Sequence, residues 1–282
     1  MREKWREVYT EEQLKKLQQI ELENLKVLDD ACSKLGIRYF VYGGTLIGAV
    51  RHRGFIPWDD DLDVAMLRED YMRFVSQAQS VLPDGYYLQT PYTDKKTPFL
   101  YSKLRLKGTT YIEYINHRLD IEKGIYIDIY PIDNIPDDNN EYLKAHKKQQ
   151  KLAKLYVLRQ CPYPSVEGKS AKRRIKNAAR FVLSHIVRLV PRSYFVKWAD
   201  DNMTQYNHMQ TKRKGNLFYP EAVNVFYDML PPERGVFEGM TVNLPANWDR
   251  HLTDRYGDYM KLPPHEARVG HIPYILDFGN YR

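Results

Sequence analysis

Four aspartates fall within five positions, Asp59, Asp60, Asp61 and Asp63, and the residues behind them, Val64-Ala65-Met66, have the character of a buried strand. Neighbouring carboxylates repel and raise one another's pKa. A chain that carries them into apolar surroundings therefore calls for a divalent cation to share. On extended backbone Asp61, Asp63 and Ala65 share one side, while Leu62, Val64 and Met66 share the other. One face is then free to bind and the other to pack. The competing reading is a solvated acidic turn after Pro57, which the apolar partner face disfavours.

With 282 residues, 43% of them apolar, the chain can bury a full core, as one large domain or as one domain with a sizeable extension. Met1 to Thr10 is polar and shows no signal pattern, and the apolar run Phe181 to Val190 is interrupted by His185 and Arg188. These features predict a cytoplasmic protein without a spanning segment. Cys32 and Cys161 stand far apart with no metal-binding spacing, so neither a disulfide framework nor a structural zinc is expected. The net charge of +7 is unevenly spread. Tyr142 to Trp198 holds 15 Lys and Arg against Glu167 alone, which leaves the remainder of the chain acidic.

Along the chain, Glu11 to Leu35 has helical apolar spacing and Gly36 as its stop. Ile37 to Tyr42 follows as a strand, Gly43-Gly44 as a tight turn and Thr45 as the N-cap of a short helix through Val50. Arg68 to Leu82 reads as a helix, and Tyr86 to Thr90, Phe99 to Leu106, Thr109 to Glu113 and Ile125 to Tyr130 as strands. Alternation puts Tyr101, Lys103 and Arg105 on one face of the second of these. It also sets Asp128 opposite the core-facing Ile127 and Ile129. Beyond Pro136 the helices Glu141 to Arg159 and Lys169 to Val190 are separated by a loop with Pro162, Pro164 and Gly168. The predicted class is α+β, a mixed sheet with flanking helices. Residues 1–35 form a packing helix, 36–136 the catalytic core, and 137–282 a basic helical extension with a wrapping or lid region.

Three carboxylates on two strands, Asp61, Asp63 and Asp128, preceded by Gly43-Gly44, suit one or two Mg²⁺ ions, with Mn²⁺ as an alternative. That order resembles the nucleotidyltransferase superfamily typified by DNA polymerase beta. The longer string YGGTLIGAVRHRGFIPWDDDLD, Tyr42 to Asp63, resembles the LicD family of phosphocholine transferases, which is similar to the fukutin-related proteins. IDIYPID, Ile127 to Asp133, and YGDYMKLPP, Tyr256 to Pro264, extend the likeness.

The resemblance implies a nucleotidyltransferase-like fold and transfer of a phospho-alcohol from a CDP-linked donor to a glycan hydroxyl, with CMP leaving. The setting would be the biosynthesis of lipopolysaccharide, teichoic acid or capsule. Asp61, Asp63 and Asp128 would be the catalytic, metal-holding residues, with Asp128 either ligand or proton acceptor. Gly43, Gly44 and Thr45 would cradle donor phosphate, and Arg51, Arg53, Lys103, Arg105, Arg268 and His271 would meet the substrate. The acceptor would be a glycan or lipid-linked glycan. Two alternatives stay open: nucleotidyl transfer with pyrophosphate release, and nucleic-acid binding through the basic segment. The second lacks any recognised nucleic-acid motif, so no nucleic-acid partner is expected.

In the second basic helix Ile175, Ala179, Val182, Ile186 and Val190 line one side and Arg173, Lys176, Arg180 and Arg188 the other. Such a helix either docks its apolar stripe on the domain or rests on an anionic membrane surface, which would make the protein peripheral at the inner membrane face.

Overall fold

The computed structural model describes residues 8–163, 171–218, 225–271 and 273–281. Helix α1 (Glu11–Leu35) starts at Thr10, whose hydroxyl accepts the Gln13 N–H while the Gln13 side chain accepts the Thr10 N–H, and ends on left-handed Gly36. That cap also takes the Ile37 N–H to the Cys32 carbonyl. The strand expected over Ile37 to Tyr42 is thereby shortened to β1 (Phe40–Val41).

Gly43-Gly44 is not a free turn. It opens helix α2 (Gly43–Ile47), with Tyr42 rather than Thr45 at the N-cap, and a π-helical turn (Gly48–His52) continues it. Next come β2 (Asp63–Leu67), α3 (Arg68–Gln77), β3 (Tyr86–Gln89), β4 (Ser102–Leu106), β5 (Thr110–Ile112) and β6 (Ile125–Ile135). The basic region supplies α4 (Asn139–Gln160), α5 (Ala171–Arg188) and α6 (Arg192–Thr204). Then follow β7 (Arg213–Gly215), β8 (Glu233–Phe237), β9 (Met240–Leu244), α7 (Trp248–Tyr256) and β10 (Ile275–Asp277).

The main sheet has the order β1-β2-β6-β4-β3, with β2 and β6 parallel and the other neighbours antiparallel. β6 is longer than expected because it changes partners. Ile125 to Ile129 pair with β4, and Asp133 to Ile135 pair with β7. Pro131 falls between those two ladders, where its missing N–H leaves no bond of either unmade. The extension is therefore not only helical: β7 joins the main sheet, β8 and β9 form a hairpin, and β10 pairs with β5.

The largest core cluster runs from Tyr9 through Val64, Met66, Ile127 and Ile129 to Leu252 and so draws on all three spans of the chain. Ala65 belongs instead to a smaller cluster with Phe40, Tyr42, Tyr130 and Phe226. The alternation expected of the acidic strand thus holds. Among the described residues no helix is long and apolar enough to cross a membrane.

Helix α5 does not dock its apolar stripe. Ile175, Val182 and Ile186 are exposed. The docked edge carries Arg180, which donates to the Tyr163 and Cys161 carbonyls, together with buried Ser184 and Val187. Arg180, expected on the outward polar side, is turned inward, and its guanidinium caps the end of α4 where carbonyls lack helical partners. Pro164 and Gly168 of the expected inter-helix loop lie outside the described residues.

Candidate active site

Three adjacent strands bring the chemistry together. Asp63 on β2 is the register partner of Asp128 on β6, which is in turn the partner of Lys103 on β4. All three side chains emerge on one face because each is flanked by core-facing neighbours. Lys103 Nζ lies 2.5 Å from Asp128 Oδ1, both are buried, and the Tyr130 hydroxyl donates to Asp128 Oδ2 at 3.3 Å. The ammonium also sits over the Tyr126 ring, 3.5 Å from its centroid. Burial pulls Lys103 below the usual lysine range, against the opposing pull of Asp128.

The loop before β2 adds the remaining acids. Burial pushes Asp59 well above the usual carboxylate range, helped by Asp61 and Asp60. Burial does the same for Asp63, helped by Asp61 and Asp128. Asp61 is raised as well, chiefly by burial. Asp63 Oδ1 is buried without a hydrogen-bond partner. A buried carboxylate oxygen left alone amid like charges is a poor resting state for protein alone and fits a divalent cation with oxygen ligands. The carboxylates of Asp60 and Asp61 and the His271 imidazole form a second compact group, with ligand atoms within 4.8 Å of one another.

Gly43 and Gly44 have a task their sequence does not reveal, which is to seat the carboxylates. A Cβ on Gly43 would lie 2.9 Å from Asp63 Oδ2, and one on Gly44 would lie 2.9 Å from Asp59 Oδ2. Gly43 also has φ +57, which L side chains rarely adopt. Thr45 is buried, and its hydroxyl accepts the Asp63 N–H at 2.9 Å, tying α2 to the acidic strand. Gly43→Ala is expected to cost about 2 kcal/mol through the left-handed backbone and the contact with Asp63. Urea denaturation measures it, and an unchanged midpoint would refute the seating role.

The other expected substrate residues divide. Arg51 is half-buried, donates to the Tyr259 carbonyl, and feels both Asp59 and Arg268. The Arg268 guanidinium lies over the Trp58 ring, 4.8 Å from its centroid. His271 donates its backbone N–H to Asp60 Oδ1, and its ring stands beside the same oxygen. That hydrogen bond, with the charges of Asp61 and Asp60, pushes its pKa up to about 10. Arg53 is exposed, in a left-handed conformation that ends the π-helical turn. Arg105 is buried inside the sheet, where it donates to Gln89 and to the Gly124 carbonyl and stacks on Tyr126. It stiffens the strand that carries Lys103.

Sequence reasoning missed Glu21, Arg255 and the Tyr9 clamp on Asp60. Glu21 lies buried on α1 and is pushed well above the carboxylate range by burial and by Asp61, Asp60, Asp59 and Asp63. Its Oε2 has no partner. The signal was available, because Glu21 and Asn24 continue the helical stripe between Leu17 and Leu28. Arg255 on α7 has Nε and Nη1 buried without partners, stands by Tyr42 and Tyr256, and lowers the pKa of Asp63. Asp60 accepts the Tyr9 hydroxyl at 2.6 Å, and Tyr9 in turn meets the Tyr111 hydroxyl at 3.2 Å.

Residues 36–167 match the family described as LicD/FKTN/FKRP, nucleotidyltransferase domain. A lipopolysaccharide cholinephosphotransferase, LicD, of Haemophilus influenzae is 26% identical over 280 residues, covering 90% of this chain and 95% of that protein. The human and mouse ribitol 5-phosphate transferases FKRP are 51% identical over 35 residues, which is 12% of this chain and 7% of theirs. An uncharacterized protein of Rickettsia typhi is 44% identical over 59 residues, covering 21% of this chain and 18% of its own. The domain match takes in the seated carboxylates, the Lys103–Asp128 pair and the glycines that make room for them, so that over residues 36–167 the chain carries a LicD-family domain, of the kind found in phosphotransferase enzymes.

Proposed function

We propose that the chain transfers a phospho-alcohol group from a CDP-linked donor to a hydroxyl of a cell-surface glycan and releases CMP. The buried acid cluster, with its unpartnered Asp63 oxygen, carries this reading. The relative matched over 95% of its own length is named as a cholinephosphotransferase, and FKRP as a ribitol 5-phosphate transferase, so both move a phosphate that bears an alcohol.

In the reaction the acceptor oxygen forms a bond to the phosphorus that bears the alcohol. The bond from that phosphorus to the bridging oxygen of the diphosphate breaks, CMP leaves with the electron pair, and the proton of the acceptor hydroxyl passes by way of a carboxylate of the cluster to solvent. Asp61, Asp63 and Asp128 would hold Mg²⁺ or Mn²⁺. When bound, the cation neutralises charge on the entering and leaving oxygens. Lys103, ion-paired to Asp128, holds its carboxylate in place. Arg51, Arg255 and Arg268 surround the acids with positive charge and orient the donor diphosphate. Glycine seats keep the carboxylates close to the backbone, so that little reorganisation accompanies the charge shift.

Tyr42, Tyr101, Tyr130 and Phe218 pack ring against ring as core, with centroids 4.6–5.9 Å apart between contacting neighbours, so the choice among choline, ethanolamine, glycerol and ribitol falls to the donor panel. The test is CMP released from a panel of CDP-alcohols with Mg²⁺ and a glycan acceptor pool, for the protein and its Asp61→Ala variant. Acceptor-dependent CMP from one donor, lost in the variant, is the expected result. Pyrophosphate from a nucleoside triphosphate, with no CMP from any donor, would move the protein to nucleotidyl transfer.

A further inference from the structure

Away from the acid cluster, a cavity of about 550 Å³ opens between the loop before β4, the loop after β5 and the helices α4 and α5. Its charged lining among the described residues is Lys95, Lys96, Arg118, Arg159 and Arg188, with His185 beside them and Asp120 as the opposing acid, paired to Lys96. Two of the cations are held in place: Arg188 donates to the Arg159 carbonyl, and the Arg118 guanidinium is stacked over Tyr163. Burial and the neighbouring Arg188 and Arg192 also disfavour the charge on Arg159. Among the described residues, five permanent cations facing one acid make a site for an anion.

Beside it runs an open groove of about 380 Å³, formed by Phe181, Val182, His185, Ile186 and Leu189. Phe181 and His185 line both spaces, so the cationic cavity and the apolar groove are continuous. Leu189 is 82% exposed and Ile186 56%, far more than a docked helix leaves open. The helix is held to the protein by the opposite edge, through Arg180, Ser184 and Val187.

We propose that this cavity and groove bind an anionic phospholipid at a bilayer surface, with the headgroup phosphate in the cavity and an acyl chain along the groove. An amphiphile of this kind meets both halves with one molecule. A nucleic acid brings phosphate but nothing for Val182, Ile186 and Leu189, and a second copy of this chain would set cations against cations. The site is independent of the transfer chemistry and goes beyond it.

The test is co-sedimentation of the full chain with vesicles of phosphatidylcholine alone and of phosphatidylcholine mixed with phosphatidylglycerol, at low salt. Binding to the anionic vesicles is expected to be about tenfold or more the tighter. Ile186→Ser with Leu189→Ser should weaken it by about tenfold or more. Lys95→Glu with Arg118→Glu should erase the preference for anionic lipid. All four positions are exposed, so the variants keep the wild-type circular dichroism and the CMP release measured without vesicles.

Equal binding to both vesicle types, binding to neither, or indifference to the apolar pair would overturn the proposal. So would self-association of the lipid-free protein that the apolar pair abolishes, which would mark the groove as a contact between copies. Displacement from vesicles by soluble glycerol phosphate at equal phosphate concentration would reduce the site to a free-anion site. Loss of vesicle binding with CMP release intact would leave the proposed reaction standing.

Discussion

Asp63→Asn is expected to lower CMP release by about 10³-fold, since phosphoryl transfer depends on charge neutralisation at positioned oxygens. The same change should stabilise the metal-free fold. Burial and Asp61 raise the folded pKa of Asp63 above its ordinary value of 3.8. A raised pKa contributes stability that is complete below the unfolded value and is lost as pH rises through the folded one. At neutral pH the ionised carboxylate therefore opposes folding, and the uncharged amide does not. In EDTA the Tm of the protein should fall as pH climbs above about 4 toward neutrality, more shallowly in the variant. Mg²⁺ should raise the Tm of the wild type and do so less for Asp63→Asn. Equal Mg²⁺ increments in both proteins would remove Asp63 from the cation site.

Lys103→Met should be the most destabilising single change in the sheet, costing about 4 kcal/mol by leaving Asp128 buried and uncompensated beside Asp63. The methionine fills much of the same space among Phe99, Tyr101 and Tyr126, so the loss reports charge more than volume. Asp128→Asn should be costly for the mirror reason, an ammonium without its counter-ion. The double variant should lose less than the two single losses added together, because neither orphaned charge then remains. Urea denaturation of all four proteins measures this. Additive losses would mean that the two side chains act separately.

Most of the acid site was legible because its signals are local. Period-two alternation around Asp61, Asp63 and Asp128, and again around Lys103, gives the facing directly, and the sheet register then brings them together. Arg105 shares that alternation, yet whether a cation on the inner face meets ligand or protein depends on Gln89 and Gly124, which reach it through pairing across strands. The role of Gly43 and Gly44 was hidden for a similar reason, since the carboxylates they admit lie 20 and 15 positions further on, at Asp63 and Asp59. Arg255 has no local mark at all. Its meaning comes from α7 laying it beside Asp63. The extension was harder to read because β7 and β10 are three-residue strands whose partners lie far back in the chain. The apolar stripe of α5 was read from its spacing, whereas its exposure was decided by Arg180 docking the other edge.

The pinning of Asp60 has a consequence in time. Its two oxygens are taken up by Tyr9, 51 positions earlier, and by His271, 211 positions later. At about 5–20 residues per second, a ribosome reaches His271 roughly ten to forty seconds after Asp60. Throughout that interval the nascent chain carries its aspartates without the late half of their clamp. The acid cluster is thus among the last parts of the molecule to be completed, since the clamp on Asp60 closes only after synthesis has passed residue 271.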